Sequence, residues 1–376
     1  MCGFWAVAFI VGLLIPTALE SQELGRALST MMMPGLDSST PVWSADESHV
    51  VFILDLDFDG EQEFYSAAVD GSGSQLLTSR VGVTFRFLVT PDSQRVLFLE
   101  RAEPGEDVGK LMSVPIGGGT PVELSAALPE GRNVGSFAVT PDSQTVVFET
   151  LPTPTQVFAI PTTGGALTPL DFGFADSQRQ LIDFFPVAGS QRMVYTADLF
   201  PLFQIGLYSA PLDGGPPTQL HEDLSGNNRV TFVELSPDGS RAIYETLNRI
   251  LFSVPTDGSS PAQTLTILSM QGRVSGDSSH VYYPTSNGGA AFLRQPLAGG
   301  PPEVLAAGVF FAGGWQLGRA TENILSRDSP ARQLRSVISD TGQNFFLNAG
   351  LTGSLVGPDF RFSRDESFAV WSSFFD

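Results

Sequence analysis

Thiols are nearly absent from this sequence, in which Cys2 is the single cysteine among 376 residues. Disulfides within the chain and cysteine-based zinc sites are thereby excluded. Lysine is as scarce, Lys110 being the only one, and charged residues make up 16% against roughly 25% in an average globular protein. The shortage falls on the basic side: 20 Lys and Arg stand against 40 Asp and Glu, for a net charge of −20. A surface of that sign repels phosphate backbones, which removes the main driving force for nucleic-acid binding, so no nucleic-acid partner is expected. Beyond the N-terminus no apolar run approaches the roughly 18 residues of a membrane span, so the mature domain is not expected to insert into a membrane.

Glycine (39), proline (27) and phenylalanine (29) are plentiful instead. That composition predicts many short strands separated by tight turns. Phe4 to Ile15 are apolar apart from Gly12, the length of a signal-peptide core. Residues 1–21 are therefore expected to be a signal peptide or an N-terminal anchor, with the mature protein periplasmic or secreted. Residues 22–40 form an N-terminal segment whose Leu24–Thr30 stretch is a candidate ring-closing strand.

From residue 41 onward a period of 40 to 50 residues dominates. A Ser/Thr-x-Asp turn recurs at Ser44–Asp46, Thr90–Asp92, Thr140–Asp142, Ser236–Asp238, Ser275–Asp277 and Ser363–Asp365, with degenerate copies near Gly189 and Arg319. Four residues after each Asp begins a short β-branched and aromatic run, such as Val96 to Leu99, that fits a strand buried on both faces. A second series of turns is centred on Gly71, Gly118, Gly164, Gly214, Gly258, Gly299 and Gly342. Six residues before each of the first six sits a large apolar side chain (Tyr65, Met112, Phe158, Tyr208, Phe252, Leu293). Proline at 115, 161, 211, 255 and 296 marks where the strand leaves its neighbour for the turn. Each period then reads as four short antiparallel strands. The expected fold is all-β, a β-propeller of four-stranded antiparallel blades, with seven complete repeats and a partial eighth. Because residues 360–376 repeat only the first two strands, the sequence is expected either to be a fragment or to close its ring through the N-terminal segment.

The alternation of Ser-Pro-Asp-Gly-Ser-Arg-Ala-Ile-Tyr (236–244) with Leu-Tyr-Ser-Ala-Pro-Leu-Asp-Gly-Gly (207–215) resembles the WD-like propeller repeat of TolB and its relatives over residues 41–376. The resemblance implies an exported propeller used for protein or ligand binding, or serving as one domain of a larger enzyme.

Asp55, Asp57 and Asp59, followed by Gly60, reproduce the opening of a calcium loop, in which alternating carboxylates converge on a hard cation. Calcium at these three residues is the expected cofactor, although Ser66 stands where such a loop carries its last Glu. His49 and His280 each follow a turn Asp by three residues and His221 ends a fourth strand, so the histidines do not form a metal cluster. The sequence has no Gly-x-Ser-x-Gly nucleophile elbow, and no catalytic residue is assigned. Loops of variable length are expected to carry binding, with Phe172, Phe174, Phe200 and Phe203 as aromatic contacts for a protein, a peptide or a glycan. The expected function is an exported non-catalytic propeller that binds a protein or ligand. The alternatives are the N-terminal propeller of a larger enzyme, such as a prolyl-oligopeptidase-type hydrolase, and a glycan-binding propeller.

Overall fold

The structure, a computed structural model, describes residues 41–54, 63–79, 86–101, 109–152, 155–170, 179–199, 204–221, 224, 228–267, 271–285, 291–307, 311–318, 321–328, 334–337, 344–346, 354–362 and 369–375. The described residues form strands and no helix. The chain divides into two compact units, residues 1–135, 143–145 and 160–166 in the first and 136–142, 146–159 and 167–376 in the second.

In the first unit the opening repeat is a four-stranded antiparallel meander, Val42–Trp43, His49–Leu54, Glu63–Ala68 and Ser74–Thr78. The second repeat has the same order, Phe87–Val89, Arg95–Arg101, Gly109–Pro115 and Val122–Glu123. It departs from an isolated blade at one place, where Gly109 pairs with Val134 and continues the sheet into the next strand. Between the two meanders lies a core of Val51, Ile53, Phe64, Val96, Phe98 and Val114. Phe64 and Phe98 meet edge to face with ring centroids 5.4 Å apart, a geometry that adds to the area each ring buries.

In the second unit the same meander recurs as Arg179–Pro186, Arg192–Leu199, Ile205–Pro211 and Thr218–Gln219; as Val230–Leu235, Arg241–Thr246, Ile250–Pro255 and Gln263–Ile267; and as Arg273–Val274, His280–Pro284, Ala291–Pro296 and Glu303–Ala307. It recurs once more as Phe311–Leu317, Ile324–Asp328, Leu334–Val337 and Asn344–Phe346, and the two-stranded sheet of Ser354–Phe362 and Ala369–Phe375 follows. Each core is shared by successive sheets: Val194, Leu207, Val230 and Tyr244 in one, Ile243, Val274, Val281 and Tyr283 in the next, Tyr282, Phe292 and Ile324 in a third. A strand pinned between two sheets buries both faces, which is why the second strands read as unbroken apolar runs.

The two turn series have distinct physical roles. In the first, the Ser or Thr hydroxyl donates to the Asp carboxylate, at 2.7 Å for Ser44 and Asp46 and 2.6 Å for Ser236 and Asp238. The same hydroxyl accepts the amide five residues on, from His49 at 2.9 Å and from Arg241 at 2.9 Å. One side chain thus satisfies both ends of the turn. In the second, Gly71, Gly118, Gly164, Gly214, Gly258 and Gly299 all have φ between 70° and 95°, a region costly to any residue with a Cβ. The amide of Gly118 donates to the Pro115 carbonyl at 2.9 Å, and Gly164, Gly258 and Gly299 repeat this on Pro161, Pro255 and Pro296. Proline lacks only its donor, so it ends the strand while its carbonyl closes the turn. The large side chain six residues before the glycine faces the second strand: Tyr65 pairs with Phe52, Tyr208 with Tyr195 and Phe252 with Tyr244, all stacked.

Candidate functional site

Asp55, Asp57 and Asp59, the expected calcium ligands, lie outside the described residues, as do Phe172, Phe174, Phe200 and Phe203. The calcium expectation gains no support elsewhere, since among the described residues no group of three or more His, Cys, Asp or Glu could hold a metal ion. Two of the histidines open the strands that follow the turns, the Nδ1 atoms of His49 and His280 meeting the hydroxyls of Ser48 and Ser279 at 2.8 and 2.5 Å. His221 is buried, with its ring edge-on to Tyr208 at 5.4 Å.

The first strand of each repeat carries a different signal. Two residues before the turn position stand Val42, Leu88, Ala138 and Phe185 in the first four repeats. The same place holds Glu234, Arg273 and Gln316 in the next three. Strand register confirms the equivalence within the second unit, since Phe185 faces Val194, Glu234 faces Ile243, Arg273 faces Tyr282 and Gln316 faces Leu325. At this position Ala138 and Phe185 pack against hydrophobic cores, whereas Glu234, Arg273 and Gln316 line a cavity.

Glu234, Arg273 and Gln316 come together on one cavity of about 410 Å3, completed by Val274, Trp315 and Leu317. The volume falls within the ~300–1,000 Å3 of small-molecule sites. Glu234 reaches the next repeat: its Oε2 accepts from Arg273 Nη1 at 3.1 Å, and its Oε1 accepts the Val274 amide at 3.3 Å. The carboxylate side chain is 15% exposed and the guanidinium side chain 36%, so the pair is only partly withdrawn from water. Arg273 also lies over the Phe232 ring, 5.2 Å from its centroid. Trp315 packs edge to face on Phe292 at 5.3 Å, which holds the indole still while it lines the cavity. The result is an aromatic wall beside a carboxylate, a guanidinium and an amide.

A second polar cluster lies nearby in the fold. The buried Tyr282 hydroxyl donates to the Glu322 carboxylate, and Arg294 Nη2 pairs with Glu303 at 2.7 Å. Burial, followed by the bond to Glu322, pushes the Tyr282 phenol far above its ordinary value. It stays protonated, a structural donor and not a base.

The sequence reading did not single out Glu234, Arg273, Trp315 or Gln316. The signal was present in the change from apolar to polar at one repeat position, visible once the repeats are superposed on the turn residues.

No family model matches the sequence, and no curated protein is similar to it. Solved structures are similar at low identity. An oligogalacturonate lyase in complex with manganese has a TM-score of 0.47 and 14% identity over 81% of this chain and 86% of that one. A prolyl endopeptidase structure has a TM-score of 0.46 and 16% identity over 81% of this chain. The match spans 46% of that chain, less than half of its length. A putative TolB from Agrobacterium tumefaciens has a TM-score of 0.37 and 14% identity, over 73% of this chain and 82% of that one. The expectation of a non-catalytic binding module is corrected here, because lyase and peptidase structures, both enzymes, stand among those the chain is similar to. Among the described residues no helix is long and apolar enough to cross a membrane.

Proposed function

We propose that this chain is the saccharide-recognising β-propeller of an enzyme, with seven complete repeats and a partial eighth arranged radially and the first strands innermost. The meander sheets with cores between successive members support the propeller reading. The observation that carries the functional reading is the meeting of Trp315 with Glu234, Arg273 and Gln316 on one cavity. A held indole presents a flat apolar face to the C–H side of a sugar ring, and planar side chains beside it match ring hydroxyls as donors and acceptors. Export to the periplasm or beyond is part of the same proposal, with residues 1–21 as the signal.

The test is affinity electrophoresis of the chain through gels that contain single polysaccharides, neutral and acidic, with Trp315→Ala alongside. Retardation in at least one gel, lost in the variant, is expected. Equal mobility in every gel would overturn the reading.

A further inference from the structure

We infer that Tyr282 is a positioning residue for Trp315, acting through Glu322; what the positioned indole binds rests on the saccharide reading above. Arg273 and Val274 line the cavity from the first strand of one repeat, and Trp315, Gln316 and Leu317 from the first strand of the next. How these two walls face each other depends on what holds the end of the second strand. In other repeats the turn that follows is closed by its own hydroxyl and carboxylate, Ser236 on Asp238 and Ser275 on Asp277, both at 2.6 Å. Here the sequence has Gly318 and Ala320 at those two places. A shared bond fixes the equivalence, the Gly318 amide donating to the Asn323 carbonyl at 2.8 Å as the Ser275 amide does to that of His280 at 2.9 Å. Two further local bonds close the turn, from the Glu322 amide to the Gly318 carbonyl at 2.9 Å and from the Asn323 amide to the Thr321 hydroxyl at 3.3 Å. Glu322 has φ of 56°, a left-handed conformation costly to a residue with a Cβ. Its carboxylate accepts the hydroxyl of Tyr282, from the preceding repeat. Tyr282 is fully buried and is the register partner of Arg273. It also belongs to the core of Phe292, Leu305, Ala306 and Ile324 against which Trp315 and Leu317 pack. One side chain thus supports the bed of the indole and, through its hydroxyl, ties down the turn that ends the indole's strand. A hydrogen bond to a carboxylate is among the stronger ones, and removing it frees that turn without opening the core. Arg294, the register partner of Tyr282 on the next strand, bears on the same hydroxyl but is itself paired with Glu303 at 2.7 Å.

The experiment uses the full chain with Tyr282→Phe, which keeps the ring, with Glu322→Ala, and with Glu322→Gln, which keeps an oxygen for the hydroxyl. Trp315 is read by acrylamide quenching, each protein being measured beside the same protein carrying Trp315→Phe so that the difference isolates its emission. Binding is read by electrophoresis through gels of xylan, hydroxyethylcellulose and polygalacturonate. In Tyr282→Phe and in Glu322→Ala the quenching of Trp315 is expected to rise. Affinity for the polymer that retards wild type should fall about fivefold, within the range for changes that reach a site without touching its ligand. Glu322→Gln should keep both close to wild type, and Tyr282→Phe combined with Glu322→Ala should lose no more than either alone, as for two ends of one bond. Circular dichroism checks the fold of each variant, and Glu322→Ala, at a half-buried position, carries the test if Tyr282→Phe does not fold. A lower melting temperature with Trp315 quenched as in wild type, or with affinity unchanged where wild type is retarded, would mean a purely structural role and overturn the inference. Glu322→Gln behaving like Glu322→Ala would overturn it too. Wild type unretarded by all three polymers would remove the saccharide reading alone, because the quenching decides the positioning of the indole without any ligand.

Discussion

The hydroxyl of Ser93 accepts the backbone amide of Asp46 at 3.0 Å across 47 residues of sequence. The same bond recurs in the first unit from Asp92 to Ser143 and in the second from Asp238 to Ser278, each at 3.0 Å. Ser93, Ser143 and Ser278 have φ of 62°, 63° and 63°. The left-handed backbone aims each hydroxyl away from its own turn and at the turn of the preceding repeat. A short side chain thereby links the turns of successive repeats.

Ser93→Ala leaves the Asp46 amide without that acceptor and is expected to cost about 1 kcal/mol, as for a typical hydrogen bond. Ser278→Ala should cost a similar amount. Urea denaturation of the two variants and their double mutant measures this. The sites are far apart in sequence and share no partner, so the effects should add within about 0.5 kcal/mol.

Gly239 takes the place of that serine in one repeat, with φ of 73°, and a Cβ built on it would stand 2.1 Å from the Ala188 carbonyl oxygen. Here backbone lies directly against backbone, and no side chain fits. Gly239→Ala is expected to cost more than about 2 kcal/mol, because a left-handed residue with a Cβ alone costs ~1–2 kcal/mol and the carbonyl must also move. A melting temperature within a degree of wild type would contradict this.

Both turn series were legible in the sequence because each rests on local chemistry: a hydroxyl bridging an Asp and an amide, and a glycine whose φ few other residues adopt. Strand boundaries followed from them, as in the fourth-strand stretch from Gln75 to Thr78, which the structure places within Ser74–Thr78. The cavity was not legible in the same way. Glu234, Arg273 and Gln316 belong to separate repeats, and each alone looks like a polar residue in a short strand. Their convergence depends on how successive sheets stack, which spacing along one strand does not encode. The pairing of Gly109 with Val134 was not legible for the same reason.

Acid should loosen the turns in a defined window. The hydroxyl of Ser275, with the hydroxyl and amide of Ser279, lowers the Asp277 carboxyl to about 2. Hydrogen bonds, led by that from Ser44, hold Asp46 lower still, and the Ser259 amide lowers Asp257. A carboxyl depressed by folding contributes stability that is fully present above its unfolded pKa, about 3.9. That contribution fades as pH falls toward the folded value, since protonation then favours the unfolded chain. Stability followed by tryptophan fluorescence in urea is expected to fall between about pH 4 and pH 2. Asp277→Asn should lower stability at pH 7 and make the acid decline shallower. An equally steep decline in the variant would mean that other carboxylates govern the transition.

Glu234 offers a way to separate the cavity's architecture from its chemistry. Its Oε1 accepts the Val274 amide and its Oε2 meets Arg273, so the carboxylate both anchors a strand and neutralises a cation. Glu234→Ala removes both and is expected to cost about 1.5–3 kcal/mol, the range for hydrogen bonds to charged groups. Glu234→Gln keeps an oxygen for the Val274 amide but releases Arg273 from its counter-charge, so its stability loss should be under about 1 kcal/mol. The freed guanidinium should then favour an acidic ligand. Pentagalacturonate is expected to gain affinity in Glu234→Gln relative to wild type, while a neutral pentasaccharide such as cellopentaose gains none. If both ligands changed in parallel, the charge on Glu234 would have no part in selectivity, and its role would be confined to holding the strand of Arg273 and Val274 in place.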